Sequence, residues 1–319
     1  MELYFAPLEG ITGREFRRAH QKWFGGVDKY YAPFISPTQD HVFTPKEKKN
    51  VFPEFNAGIP LVPQLLTRNA DDFTWYADEL FAMGYEEVNL NLGCPSGTVV
   101  AKRKGSGLLT DPEQLNEFLY QIYRRASGNI SIKTRLGVND PEEFTRILNI
   151  YSRYPVSLLI IHPRVRADYY KHPIRMEYFD AALERYEGEL CYNGGLFTGQ
   201  GTQEFCAAHP GVNRLMLGQG LLADPALCLK IRGEGKLERE KLKGFHDELY
   251  HGYLDSFKSG KNTVFHMKEL WLFLQRSFEG GEKLFKQIKK AQDTTNYENA
   301  VEEIFRSLPI RQDAEWSES

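Results

Sequence analysis

Apolar residues recur along the chain in eight short runs, at residues 3–7, 29–33, 61–65, 88–92, 130–135, 158–162, 190–193 and 214–217. Each is too short for a helix and is bounded by turn-forming or polar residues, so each reads as a strand. Between them the period lengthens to that of a helix, at 15–23, 70–83, 112–126, 141–154, 176–186 and 202–208. In 70–83, for example, Phe73, Tyr76, Ala77 and Leu80 share one face. Asp111-Pro112 and Asp140-Pro141 put a capping carboxylate before a proline, as helix starts often do. Strands alternating with helices predict a parallel sheet, and eight repeats predict an α/β fold closed into a (β/α)8 TIM barrel over residues 1–237. Residues 38–58 are polar, Lys-rich and without period, and read as a loop over the barrel mouth.

Beyond residue 237 the pattern is helical only. Phe245, Leu249, Tyr253 and Phe257 are spaced for one face, and helical patterns follow at 266–278, 282–291 and 297–308. They predict a small C-terminal helical bundle over residues 238–310. Residues 311–319 are polar and are expected to form a disordered tail.

Composition narrows the class. The chain has 319 residues, 41% of them hydrophobic and 26% charged, with a net charge of −3. It has no apolar run of about 18 residues and no signal-peptide pattern at its start, so a cytoplasmic protein without membrane contact is expected. The cysteines, Cys94, Cys191, Cys206 and Cys228, show no C-x-x-C spacing, which argues against a zinc site or a disulfide framework, and no metal is expected.

Barrel active sites collect at the C-terminal ends of the strands, and that is where the chemistry-bearing residues fall. Pro7 and Glu9 follow the first run and Gln64 lies on the third. Asn91 and Cys94 close the fourth, Lys133 and Arg135 the fifth, and His162 and Arg164 the sixth. Asn193-Gly194-Gly195 and Gly218-Gln219-Gly220 follow the last two. The alternation Val88-Asn89-Leu90-Asn91-Leu92 stops at Gly93, so Cys94 is presented by a loop as nucleophile, metal ligand or proton donor; the competing reading is a small buried hydrophobe. Glycines after the last two strands let backbone N–H groups approach a phosphate, with His162 and Arg164 completing the charge. Gln64, Asn91 and Lys133 supply donors for a flat heteroaromatic ring. These are the requirements of FMN, for which Pro7, Asn193, Gly195, Gly218 and Gln219 would complete the site. Lys133 would stabilise the anionic reduced ring.

The ordered set is more specific than any one motif: Ala6-Pro7-Leu8-Glu9-Gly10 with Phe16-Arg17, Pro63-Gln64-Leu65-Leu66, Asn89-Leu90-Asn91-Leu92-Gly93-Cys94-Pro95, Ile132-Lys133-Thr134-Arg135, His162-Pro163-Arg164, Tyr192-Asn193-Gly194-Gly195 and Gly218-Gln219-Gly220. With these landmarks the sequence resembles the dihydrouridine synthase family from the first strand to near residue 305. The resemblance implies a flavoprotein oxidoreductase of tRNA processing. With FMN as cofactor and NADPH as reductant, it would reduce the C5–C6 double bond of a uridine in structured RNA, most naturally tRNA. Hydride would pass from flavin N5 to C6, and Cys94 would give the proton to C5. Arg135, Arg164 and the bundle lysines Lys283, Lys286 and Lys290 would bind the RNA; no DNA is implied, and the chain is expected to be monomeric.

The chain departs from the family pattern at Gly13, Gly97 and Gln219, where an acidic residue, a lysine and an arginine are usual. All three changes touch groups suited to handling ions, which keeps an rRNA target open. Two other classes remain open at this level: an FMN-dependent barrel oxidoreductase of a small pyrimidine or enone, and a non-catalytic RNA-binding protein on a degenerate barrel.

Overall fold

The computed structural model describes residues 1–170 and 172–313. The apolar runs form nine parallel strands: β1 (Glu2–Phe5), β2 (Lys29–Tyr31), β3 (Leu61–Val62), β4 (Gln64–Leu65), β5 (Glu87–Leu92), β6 (Asn129–Arg135), β7 (Leu159–His162), β8 (Leu190–Asn193) and β9 (Arg214–Leu217). Their order is β3-β2-β1-β9-β8-β7-β6-β5-β4. The two terminal strands, β3 and β4, are halves of one apolar run split at Pro63. Proline has no N–H to give to a ladder, but its carbonyl still accepts from Asn89 N at 2.8 Å. The sheet therefore closes on itself through Pro63, as the expected (β/α)8 barrel requires.

Alternation along the strands divides the core. Leu3 and Phe5 join the large cluster beneath the surrounding helices, while Tyr4 and Ala6 join Tyr31, Val62, Ile160, Cys191 and Met216 in a separate cluster within the barrel. Tyr31 OH and Lys29 Nζ both donate to Glu87, at 3.0 and 2.6 Å.

Residues 38–58 are not all loop. Pro45–Val51 is a helix, started by a capping box in which Thr44 and Glu47 satisfy each other's backbone N–H groups, with Pro45 in the first turn. Buried Arg17 locks this segment to the loop after β1. Its guanidinium donates to Thr12 O at 2.9 Å, Asn50 O at 2.6 Å and Asn56 Oδ1 at 2.9 Å. The predicted helix at 141–154 is shorter, Glu143–Tyr151, because Glu143 turns back to accept from the backbone N–H groups of Val138, Asn139 and Asp140.

Four helices follow the barrel: Arg239–Phe257, Gly260–Leu274, Glu282–Lys290 and Thr294–Ser307. Tyr297 OH ties three of them together, contacting His246 Nε2 at 2.7 Å and accepting from Trp271 Nε1 at 2.8 Å. The bundle is docked on the barrel by the first helix, Arg14–Trp23. Phe245 packs edge-on against Phe16 and Phe24, at 5.4 and 5.6 Å between ring centroids. Complete burial of such a ring is worth about 1.5–3 kcal/mol. Glu248 accepts from Trp23 Nε1 at 2.8 Å and pairs with Lys22. Gln312 exchanges hydrogen bonds with the backbone of Leu237; residues 314–319, the rest of the expected tail, lie outside the described residues. No helix among the described residues is long and apolar enough to cross a membrane.

Candidate active site

Strand register assembles the site. Asn91 on β5 lies beside Lys133 on β6, and Arg135 lies beside His162 on β7. Asn193 on β8 lies beside Met216 on β9. Around these strand ends is a pocket of about 230 Å3, whose walls include Pro7, Lys133, His162, Arg164, Asn193, Gly195, Gly218 and Gln219. Most of the residues expected to bind a cofactor thus converge on one cavity. The φ angles at Gly194 and Gly195, +141° and +65°, lie in the region that excludes most side chains, and a Cβ on Gly194 would come within 2.8 Å of Ile174 Cδ1. Asn193 is anchored by donating from Nδ2 to Met216 O at 2.6 Å.

Gln64, Asn91 and Cys94 are not part of that wall. Gln64 is fully buried and belongs to a chain of amides: Asn91 Nδ2 donates to Gln64 Oε1 at 2.8 Å, Gln64 Nε2 to Asn89 Oδ1 at 2.8 Å, and Asn89 Nδ2 to Ser131 Oγ at 2.7 Å. The other end of Asn91 faces the cysteine loop. Its Oδ1 accepts from Gly93 N at 3.0 Å and from Cys94 N at 2.9 Å. Gln64 and Asn91 thus orient the Cys94 loop, and each amide nitrogen carries a second N–H beyond the one used in this chain.

Cys94 is half-buried, and its carbonyl accepts from Ser106 Oγ at 2.7 Å. Burial raises the thiol pKa above its ordinary value, against the opposing pull of the Ser96 backbone and of Arg135 and Lys133. The thiol is therefore protonated at neutral pH.

Lys133 is the opposite case. Desolvation, aided by repulsion from Arg135, lowers its pKa to about 8. Among the described residues no hydrogen bond or ion pair engages its ammonium, which faces the pocket. The arrangement is a cation without a counter-charge, poised near the pH at which it discharges. His162 differs from the sequence expectation. Burial and the charges of Arg135, Lys133 and Arg164 hold its pKa well below the usual imidazole value. It is neutral, so it can complete a phosphate site as a hydrogen-bonding group and not as a cation.

Arg135 also departs from expectation. The family resemblance implies contact with RNA, but Arg135 is 1% exposed and its guanidinium is spent on three carbonyls: Gly93 at 3.1 Å, Val165 at 3.0 Å and Tyr169 at 3.0 Å. It joins the Cys94 loop to the segment after β7, with Tyr170 stacked against the cation. Lys283, Lys286 and Lys290 are exposed on their helix and do not line the cavity. Among the wall residues that the sequence pattern does not point to are Tyr170 and Arg276. Arg276 follows directly on the helix Gly260–Leu274, so only the docking of the bundle brings it to the barrel mouth.

A model of the family described as Dihydrouridine synthase (Dus) matches residues 4–308. The chain belongs to the dihydrouridine synthase family. The match takes in both the barrel and the bundle, so the helical appendage is part of the family architecture. Among curated relatives of this dihydrouridine synthase chain, the tRNA-dihydrouridine(16) synthase of Pseudomonas putida is 25% identical over 92% of this chain and 94% of its own length. That of Cupriavidus necator is 25% identical over 94% and 96%, and that of Pseudomonas syringae pv. tomato is 28% identical over 75% and 77%. Among solved structures, morphinone reductase in complex with tetrahydroNAD superposes with a TM-score of 0.53 at 11% identity, covering 76% of this chain and 90% of that one. At that identity the likeness is one of fold.

Proposed function

We propose that the chain is an FMN-dependent tRNA-dihydrouridine synthase that uses NADPH to reduce the C5–C6 double bond of a uridine. The observation that carries the reading is Lys133, an ammonium at the pocket wall with no counter-charge among the described residues, beside a neutral His162. Together with the amide of Asn193 and the left-handed glycines Gly194 and Gly195, this donor set fits an anionic, planar cofactor with a phosphate. When bound, FMN supplies the hydride that reaches C6 of the uracil.

The protein's part is orientation, charge and one proton. Lys133 holds the polar edge of the ring, and the glycine-bearing loops after β8 and β9, with neutral His162 as a hydrogen-bonding group, hold the phosphate. Gln219 stands there where the family usually has arginine. Hydride addition at C6 makes C5 basic, and the Cys94 thiol, protonated because it is buried, donates its proton there. Arg276 at the mouth and Lys283, Lys286 and Lys290 on the bundle meet the RNA phosphates, whereas Arg164, which the sequence also offers to RNA, is 3% exposed in the pocket wall and serves the cofactor phosphate instead. The names of the relatives favour tRNA over rRNA.

Lys133 gives the test. Purified protein reconstituted with FMN is expected to hold it with a perturbed flavin spectrum, and NADPH is expected to bleach it. Charged Lys133 favours an anionic ligand, so affinity for reduced FMN should fall as pH rises through about 8, where the ammonium of the free protein loses its proton. Lys133→Met should bind weakly at every pH and lose that dependence. Flavin titrations followed by fluorescence decide it: no affinity for FMN, or the same pH dependence in Lys133→Met, would contradict the assignment.

A further inference from the structure

A second cavity, of about 440 Å3, lies between the barrel and the bundle, apart from the residues of the proposed chemistry. One wall is built by Gly10, Gly13, Pro33 and the capped helix Pro45–Val51. The other is built by Tyr253 and Phe257 from the first bundle helix and by His266 and Glu269 from the second. Tyr253 and Phe257 are parallel, with 5.6 Å between centroids and 6° between planes, and His266 meets Tyr253 edge-on at 4.3 Å. Tyr253 is buried, but Phe257 is 40% exposed, so an aromatic face is left open at the cavity. Prolines stand on the other side. This is an aromatic platform with an apolar wall, the arrangement on which a nucleobase stacks.

The polar groups of this cavity are of two kinds. Glu269 presents a carboxylate that no donor among the described residues engages. Glu15, in contrast, is taken up by Ser256 Oγ and Arg14. Lys46 is paired with Glu9 at 2.8 Å, while the ammonium of Lys49 has no partner among the described residues. A free carboxylate accepts best from two adjacent donors, and a free ammonium donates to an acceptor. Among the common bases only guanine carries an imino N–H beside an amino group on one edge, with the O6 and N7 acceptors next to it. Uracil offers one donor there, and adenine offers its amino group without the neighbouring imino proton.

The two cavities are neighbours. Leu8 lines the first and Gly10 the second, and two residues of chain span at most about 7 Å, so the loop after β1 reaches both. Arg17 holds the loop rigid from beneath. An RNA strand that delivers a uridine to the first cavity therefore carries a nearby nucleotide to the second.

We propose that the cavity between Phe257, His266 and Glu269 is a base-specific subsite that takes an unstacked guanine near the target uridine, with the Glu269 carboxylate accepting from its N1–H and N2–H groups. The proposal rests on RNA being the substrate. It makes the helical bundle a reader of sequence as well as a phosphate-binding surface.

The test uses the FMN-loaded protein, NADPH and a set of RNA transcripts in which each guanosine near the modified uridine is replaced in turn by inosine, which lacks the N2 amino group. One replacement should raise KM about tenfold, the worth of one hydrogen bond to a charged group. In Glu269→Gln, KM for the all-guanosine RNA should rise and the difference between guanosine and inosine should disappear, while NADPH oxidation by the bound flavin is unchanged. Phe257→Ala should raise KM for both RNAs alike. Uniform KM values across the inosine set, or an inosine effect that survives intact in Glu269→Gln, would overturn the subsite and leave the synthase activity standing. Absence of dihydrouridine from every transcript would overturn both readings.

Discussion

Cys94→Ala is expected to slow uridine reduction by about 10²–10⁴-fold, the usual worth of a positioned general acid, while FMN binding and flavin reduction by NADPH stay unchanged. The separation follows from geometry. The thiol sits on the loop that ends β5, outside the wall of the cavity formed by Lys133, His162 and Asn193, so its loss removes a proton donor and no cofactor contact. Alanine is also conservative here, since the loop is held through backbone atoms by Asn91 and Ser106. The pH profile supplies an independent check. A donor must be protonated to act, and burial raises the thiol pKa, so the wild-type chemical step should hold its rate through neutrality and fall only in alkaline solution. Single-turnover reduction of RNA by prereduced enzyme measures both effects. An undiminished rate in Cys94→Ala would assign the proton to another group.

The second large effect is expected at Arg135, which makes no contact in the proposed chemistry. Arg135→Met keeps the aliphatic stem and removes the guanidinium, leaving the carbonyls of Gly93, Val165 and Tyr169 without this donor. A buried polar group that loses its partner costs about 1–3 kcal/mol, and the bond to Gly93 is the one that fixes the residue before Cys94. Displacement of a catalytic group by about 1 Å can cost 10²-fold in rate. The variant should therefore lose about two orders of magnitude in uridine reduction and melt at a lower temperature. The pKa of Lys133 should also rise, because a repelling neighbour has gone. Flavin titration against pH would show that rise as a shift of the alkaline limb. Wild-type stability with wild-type rate would show that the clamp is dispensable.

Much of this architecture is legible in the amino-acid order because burial on both faces of a parallel strand leaves an unbroken apolar run. The barrel and its pocket-lining residues follow from the runs and from what lies at their ends. The split of the third strand at Pro63 is legible in principle, since proline cannot give to a ladder. The helix Pro45–Val51 carries its own signal in Thr44, Pro45 and Glu47, a capping box that outweighs the lack of an apolar stripe. Other features are not local. Arg135 reads as a strand-end charge available to RNA, and only the fold shows three carbonyls converging on it. His162 reads as a cation, yet burial, and after it the charges of Arg135, Lys133 and Arg164, keeps it neutral, and neither the burial nor the charges on β6 can be read from its own neighbourhood in the sequence. Arg276 reaches the barrel mouth because Phe245 docks between Phe16 and Phe24, more than two hundred residues away in sequence.

The most direct measurement is the nucleoside content of tRNA treated with the FMN-loaded protein and NADPH. Uridine should be lost at one position and replaced there by a nucleoside heavier by two hydrogens, dependent on both FMN and NADPH. Flavin reduction by NADPH with tRNA left unchanged would contradict the synthase assignment.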